Sequence, residues 1–258
     1  MFKFKQFSIK QEKSAMKVGT DGVLLGAWCD VENTNSALDI GCGTGLIALM
    51  LAQKKAKLKI DAVEISAESA AEAEENVQNS PFKEQISVFC DSIQNFAEKC
   101  DKKYDLIVSN PPFFVDSLKC PNEKRALARH TDTLPYCDLF FAVEKLLNEN
   151  GLFSVILPEE QCESFINSAK NHNLFLTKQT EVFSKPQSKC HRRLMTFSSA
   201  FLTQSSQRER KERKDDYQKF ANFANDLCVK KEKLIIENSR HNFTDEYISL
   251  TKDFYLKF

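Results

Sequence analysis

Short apolar runs alternate with helical stretches along most of the chain. "SALDIGCGTG" (residues 36–45) reads as a buried strand ending in a glycine turn, and "LIALMLAQK" (46–54) then places its apolar residues at helical spacing. "KIDAVEIS" (59–66) is a second strand. Ser66 is suited to cap the helix "AESAAEAEENVQNS", with Ser69 and Ala70 in its first turn. "ISVFCD" and "YDLIVSN" supply a third and a fourth strand. The pattern predicts a helix from Leu134 to Asn148 with Gly151 as a loop glycine after it, then a strand in "LFSVILP" and a helix in "EEQCESFINSAKNH". "LFLTKQTEVF" and "RRLMTFSSAFL" follow as strands with no helix between them. Strands alternating with helices predict an α/β fold with a parallel sheet, and the last pair predicts an antiparallel hairpin at its edge.

Two stretches fall outside this plan. Residues 1–35 precede the first core strand and include "KVGTDGVLLGAW". Residues 204–232 are densely charged and then helix-like, which predicts a solvated helical insertion. Beyond them, "KLIIEN" offers one more short strand and "DEYISLTKDFYLKF" a terminal helix. With no repeat and no Ser/Gly linker, the 258 residues are expected to form a single domain.

Composition narrows the class. Lys plus Arg and Asp plus Glu both number 36, so a nucleic-acid partner would need a local basic patch. Nine cysteines, an odd count with no C-x-x-C pair, argue against a disulfide framework or a zinc site and favour a reducing cytoplasm. The N-terminus "MFKFKQFSIKQEK" has no apolar core of a signal peptide, and no run is long enough to span a membrane. No metal site is expected.

The glycine turn "DIGCGTG" carries the first candidate chemistry. Asp39 leads it, and Gly41, Gly43 and Gly45 allow a tight turn and close approach of a ligand to bare backbone. The helix that follows offers free N–H groups to an anion, either a pyrophosphate or an amino-acid carboxylate. A nicotinamide cofactor asks for G-x-G-x-x-G/A, but the sixth position is Leu46. The G-x-G-x-G spacing favours S-adenosylmethionine. Glu64, ending the second strand, is placed to bind ribose hydroxyls, and Asp91, ending the third, to accept from an adenine amino group. The alternative is a ligand-free turn.

The fourth strand ends in "NPPFF". This arrangement resembles the class I S-adenosylmethionine-dependent methyltransferases, and Asn110 to Phe113 matches the [NDS]-PP-[FYW] motif of their amino-methylating branch. The resemblance implies a Rossmann-like, mostly parallel seven-stranded sheet. An exocyclic amine on a base is a weak nucleophile because its lone pair is delocalised. Asn110 Oδ1 and the Pro111 carbonyl can accept its two N–H bonds and free the lone pair, and Asn110 is also a candidate cofactor contact. The prolines fix φ and hold that acceptor rigid. Phe113 offers a ring for a base that has left its stack.

The segments "FKFKQFSIKQEKSAMKVGTDGVLLGAW", "RALARHTDTLPYCDLFF" and "FYLKF" resemble the bacterial tRNA-valine adenine-37 N6-methyltransferase family over nearly the whole chain except 204–232. The resemblance implies methyl transfer to adenine beside the anticodon of a valine tRNA. It also implies that residues 1–35 cover the cofactor or substrate, with Thr20 near the cofactor; a plain N-capped helix at Thr20 or Asp21 is compatible with this. Candidate RNA contacts are Lys3, Lys5, Lys17, Arg129, Arg192 and Arg193, with Lys185, Lys189 and His191 beside the last two; a solvated face is the alternative. A monomer is expected. The rival readings are guanine-N2 methylation of ribosomal RNA, an inactive RNA-binding or assembly protein with the same fold, and a nicotinamide oxidoreductase.

Overall fold

The computed structural model of the chain describes residues 1–14, 16–112, 134–199 and 229–257. Twelve strands and seven helices lie within them, in the order β1 (Phe2–Lys3), β2 (Ser8–Ile9), α1 (Thr20–Trp28), β3 (Ser36–Ile40), α2 (Leu46–Lys54), β4 (Lys59–Glu64), α3 (Ala67–Gln78), β5 (Ile86–Cys90), α4 (Ile93–Lys99), β6 (Tyr104–Ser109), α5 (Tyr136–Leu146), β7 (Leu147–Pro158), α6 (Glu159–Asn171), β8 (Phe175–Phe183), β9 (Cys190–Ser198), β10 (Lys230–Ile235), β11 (Glu237–Ser239), β12 (Asn242–Phe243) and α7 (Asp245–Thr251).

The main sheet runs β10-β8-β9-β7-β6-β3-β4-β5. Strands β7, β6, β3, β4 and β5 are mutually parallel, while β9 is antiparallel to both β7 and β8. The α/β class and the antiparallel hairpin hold, but the strand count is eight instead of seven. The eighth is β10, which pairs parallel with β8 and moves the hairpin one strand in from the edge. It begins at Lys230, so 230–232 are strand and do not belong to the charged insertion. The rest of that insertion lies outside the described residues, apart from Val229.

Helices α1, α2, α3 and α7 cover one face of the sheet and α4, α5 and α6 the other, each face with its own apolar core. The central strands are buried on both sides, and their apolar runs reflect it: β6 buries five of six residues and β3 four of five. Ser66, Ser92 and Thr244 cap α3, α4 and α7, each accepting from the backbone N–H three residues on. The expected cap at Thr20 or Asp21 is not formed. Gly19 precedes α1, and no side-chain cap bond closes it.

Two further expectations are corrected. The helix predicted to reach Asn148 ends at Leu146, and residues 147–150 already belong to β7, Leu147 pairing with Tyr104. Gly151 therefore lies within a strand, where a Cβ would sit 3.0 Å from the Tyr104 carbonyl and closer still to the Leu147 side chain. Trp28, at the end of α1, ties that helix to the sheet: its Nε1 donates to Thr180 Oγ1 at 2.9 Å, and Lys178 Nζ lies 4.4 Å from the ring centroid.

Candidate active site

The register of the parallel strands brings the candidate residues to one edge. Ile40 pairs with Val63 on one side and Ser109 on the other, and Glu64 pairs with Cys90. The residues that follow each strand end, Gly41, Ile65, Asp91 and Asn110, emerge next to one another. With strands about 4.8 Å apart, the run from Asp91 across to Asn110 spans roughly 14 Å. This is the C-terminal edge, where open α/β sheets bind their ligands.

The glycine turn is fixed from both sides. Gly41 N and Cys42 N both donate to Val63 O, at 2.8 and 3.1 Å, and Gly45 N closes the turn on Cys42 O at 2.8 Å. Gly41, Gly43 and Gly45 have φ of +69°, +54° and +78°, a left-handed backbone that glycine adopts without strain. A Cβ on Gly41 or Gly43 would meet nothing within 4 Å, so the turn faces open space. Glu64 braces it: Oε2 accepts from Gly43 N and Oε1 from Ser66 N, both at 2.9 Å. Asp91 keeps its carboxyl low through a hydrogen bond from Lys99, and it also accepts from Ser92 N and Asn95 Nδ2.

Asp39 is fully buried. One carboxylate oxygen accepts from Ala48 N at 3.1 Å, and the other has no partner. Burial pushes its carboxyl up to about 7, against the lowering effect of that N–H and with help from Glu64. Asn110 has a matching orphan: its Oδ1 is buried and unpartnered. Among the described residues only four buried side-chain polar atoms lack a partner, and two of them stand at this edge. An unpaired buried acceptor costs about 1–3 kcal/mol, so such atoms point to a ligand. Ser109 Oγ donates to Ile40 O at 2.9 Å and holds the end of β6 beside the glycine turn, and Pro111 is buried. Phe113 and Arg129 lie outside the described residues.

The N-terminal segment is sewn to α3. Glu72 accepts from the backbone N–H groups of Glu12, Lys13 and Ser14, at 2.6, 3.0 and 2.9 Å. Desolvation raises its carboxyl, but hydrogen bonds from residues 12–14 outweigh it and bring it down to about 2. Asn76 accepts from Lys10 N and donates to both Lys10 O and Thr44 O, which joins the segment to the glycine turn. On the far side of the turn Gly22 abuts Leu46, the first residue of α2. Residues 16–19 therefore cross near the turn, and Lys17 and Thr20 are exposed there.

Several sequence-predicted RNA contacts are not available at this edge. Lys3 and Lys5 sit at its opposite end: Phe7 packs on Phe82, beyond the end of α3, and Lys5 Nζ donates to Lys252 O, beyond the end of α7. Arg193 is only 8% exposed and is held by Glu159 and Glu163, so its charge is already satisfied inside the protein. Arg192 is partly exposed and pairs with Asp21 at 2.9 Å, fastening α1 to β9. One residue escaped the sequence reading. Ile65, 48% exposed, follows Glu64 at the edge and offers an apolar platform between the glycine turn and Asp91. Its only sequence signal is its place after the strand-ending acid.

Residues 14–133 match the family model of the methyltransferase small domain. A Flavobacterium psychrophilum protein described as tRNA1(Val) (adenine(37)-N6)-methyltransferase is 43% identical, with all of both chains covered. A Bacteroides fragilis protein with the same description is 44% identical over 99% of this chain and 98% of its own. Among solved structures, a predicted O-methyltransferase from Agrobacterium tumefaciens has a TM-score of 0.63 at 17% identity, covering 91% of this chain and 96% of that one, a likeness of fold.

Proposed function

The chain belongs to the tRNA1(Val) (adenine(37)-N6)-methyltransferase family, and on that premise we propose that it methylates N6 of adenine 37, beside the anticodon of a valine tRNA, with S-adenosylmethionine as methyl donor. The observation that carries the reading is the buried, unpartnered Oδ1 of Asn110 beside a glycine turn whose two leading glycines face open space.

The residues present fit the cofactor. Gly41 and Gly43 leave room against bare backbone, Glu64 and Asp91 supply carboxylates for hydroxyl and amino groups, and Ile65 gives a flat base an apolar neighbour. Asp39 holds an unpaired carboxylate oxygen suited to an ammonium, and Thr20 stands at the start of α1 beside the turn. When bound, the cofactor supplies an electrophilic methyl group on a sulfonium.

The chain's own part is to hold the amine. Asn110 Oδ1 and the Pro111 carbonyl accept the two N–H bonds of N6 and turn its lone pair out of the ring. The N–H hydrogens gain positive charge as the nitrogen attacks, so fixed acceptors stabilise the transition state more than the ground state. Phe113 stacks on the extruded base. Placement of both reactants supplies much of the remaining acceleration. The enzyme works as a single-domain monomer in the cytoplasm, and among the described residues no helix is long and apolar enough to cross a membrane.

The test is nucleoside mass spectrometry on purified valine tRNA incubated with the protein and labelled cofactor. Label in N6-methyladenosine at position 37 is the expected result. Label in N2-methylguanosine, or cofactor binding without transfer to this tRNA, would overturn it.

A further inference from the structure

Asn110 divides the C-terminal edge of the sheet into two unlike halves. On one side, the ends of β4 and β5 and the first turn of α3 carry Glu64, Asp91 and Glu68. On the other side the loops that leave the sheet carry the cations. Pro158 pairs with Arg192, Phe183 with Cys190 and Ile235 with Phe183, so the ends of β7 and β8, the start of β9 and the end of β10 rise together. The 184–189 turn and the β11–β12 hairpin leave the sheet at this point. Ile236 N donates to Phe183 O at 2.9 Å and Glu237 N to Ser184 O at 3.0 Å, which fixes one loop against the other.

Lys185, Lys189, His191, Arg240 and His241 are all exposed on these loops. His241, with φ +63°, reverses the chain between β11 and β12 and puts Arg240 at the tip. Among the described residues no ion pair engages Lys185, Lys189 or Arg240. The nearby carboxylates of Asp21 and Glu159 are committed to Arg192 and Arg193, while Glu160 is exposed in the first turn of α6. Glu237 is partly buried, and Asp245 and Glu246 begin α7 behind the hairpin.

Strand spacing places the loops roughly 10–19 Å from Asn110 along the edge. That is too far to touch the target base and suitable for the chain that carries it. An extruded base leaves its phosphodiester backbone outside the pocket, and the acidic half of the edge repels that polyanion.

We infer that the 184–191 turn and the 237–243 hairpin form the docking surface for the RNA backbone flanking the target adenine, with Arg240 binding a phosphate. The inference rests on the proposed tRNA reading and gives it a direction of approach, from the β7–β10 side.

The test is the salt dependence of binding to a valine tRNA transcript. The variants are Arg240→Glu, the pair Lys185→Glu with Lys189→Glu, and Lys57→Glu as a control on the loop before β4 at the opposite edge. Removing a cation that neutralises one phosphate lowers the slope of log K against log salt by about one. Arg240→Glu is expected to reduce it by about one and the pair by about two, with Kd raised at least ~5-fold in each case. Lys57→Glu is expected to match the wild type. Wild-type slopes in the Arg240 and Lys185/Lys189 variants, or an equal loss in Lys57→Glu, would overturn the docking surface. If the wild type methylates tRNA while the variants bind normally, the docking surface falls alone. If the wild type neither binds nor methylates tRNA, both readings fall.

Discussion

Glu64 holds Gly43: the carboxylate at the end of β4 accepts the N–H at the centre of the glycine turn at 2.9 Å, and accepts a second N–H from Ser66. The same side chain therefore shapes the turn that the proposed cofactor would meet. Glu64→Ala should weaken S-adenosylmethionine binding at least ~10-fold by calorimetry and reduce stability by about 1–3 kcal/mol, since two charge-assisted bonds disappear. An unchanged dissociation constant would reduce Glu64 to a brace.

Asn110→Ala should separate chemistry from binding. Turnover is expected to fall on the order of 10²-fold or more while cofactor affinity persists. Its Oδ1 satisfies nothing in the free protein, so the substitution should leave the melting temperature at or above the wild-type value. A variant that loses cofactor binding and keeps its single-turnover rate would refute the assignment.

Asp39 predicts a pH dependence. Its folded carboxyl is raised from 3.8 to about 7, so the stability it contributes is complete below about 3.8 and is lost as pH rises through about 7. Asp39→Asn should flatten this loss and melt higher than wild type at alkaline pH. It should also bind S-adenosylmethionine more weakly, because the charge facing the ligand is gone. Parallel melting curves against pH would reject the buried carboxyl as the source.

Glu72 has the opposite sign. Its carboxyl is lowered from 4.5 to about 2, so the stability it contributes is present above about 4.5 and is lost as pH falls through about 2. Glu72→Gln sets an amide N–H₂ among the N–H donors of residues 12–14 and should cost roughly 1–3 kcal/mol. Faster proteolysis near Lys13, with an intact core, is the expected readout. A wild-type digestion pattern would show that the clamp is dispensable.

Much of this was legible in advance because local signals and tertiary demand agree. The buried strands β3, β4 and β6, the cap at Ser66 and the glycine turn each announce themselves over a few residues. The misreadings arose where a distant partner decides. Residues 148–150 are polar and follow a helix, yet β6 pairs with Leu147 across a bulge and draws them into the sheet. "HRR" reads as a solvated basic run. Strand alternation instead sends Arg193 inward to Glu159 and Glu163, some 30 residues earlier in the chain. The N-terminal lysines look continuous in sequence, but residues 10–14 climb along α3 and leave Lys3 and Lys5 at the far end.

Trp28 is the single tryptophan of the chain, and it bridges α1 to β8 through Thr180 while lying under Lys178. Its indole emission is therefore expected to respond to the seating of α1 on the sheet. That helix begins at Thr20, in the chain that continues from residues 12–14 clamped by Glu72, and carries Asp21, the partner of Arg192. A change in this native, label-free signal on adding cofactor or RNA is the expected sign that the N-terminal arm has shifted on the sheet.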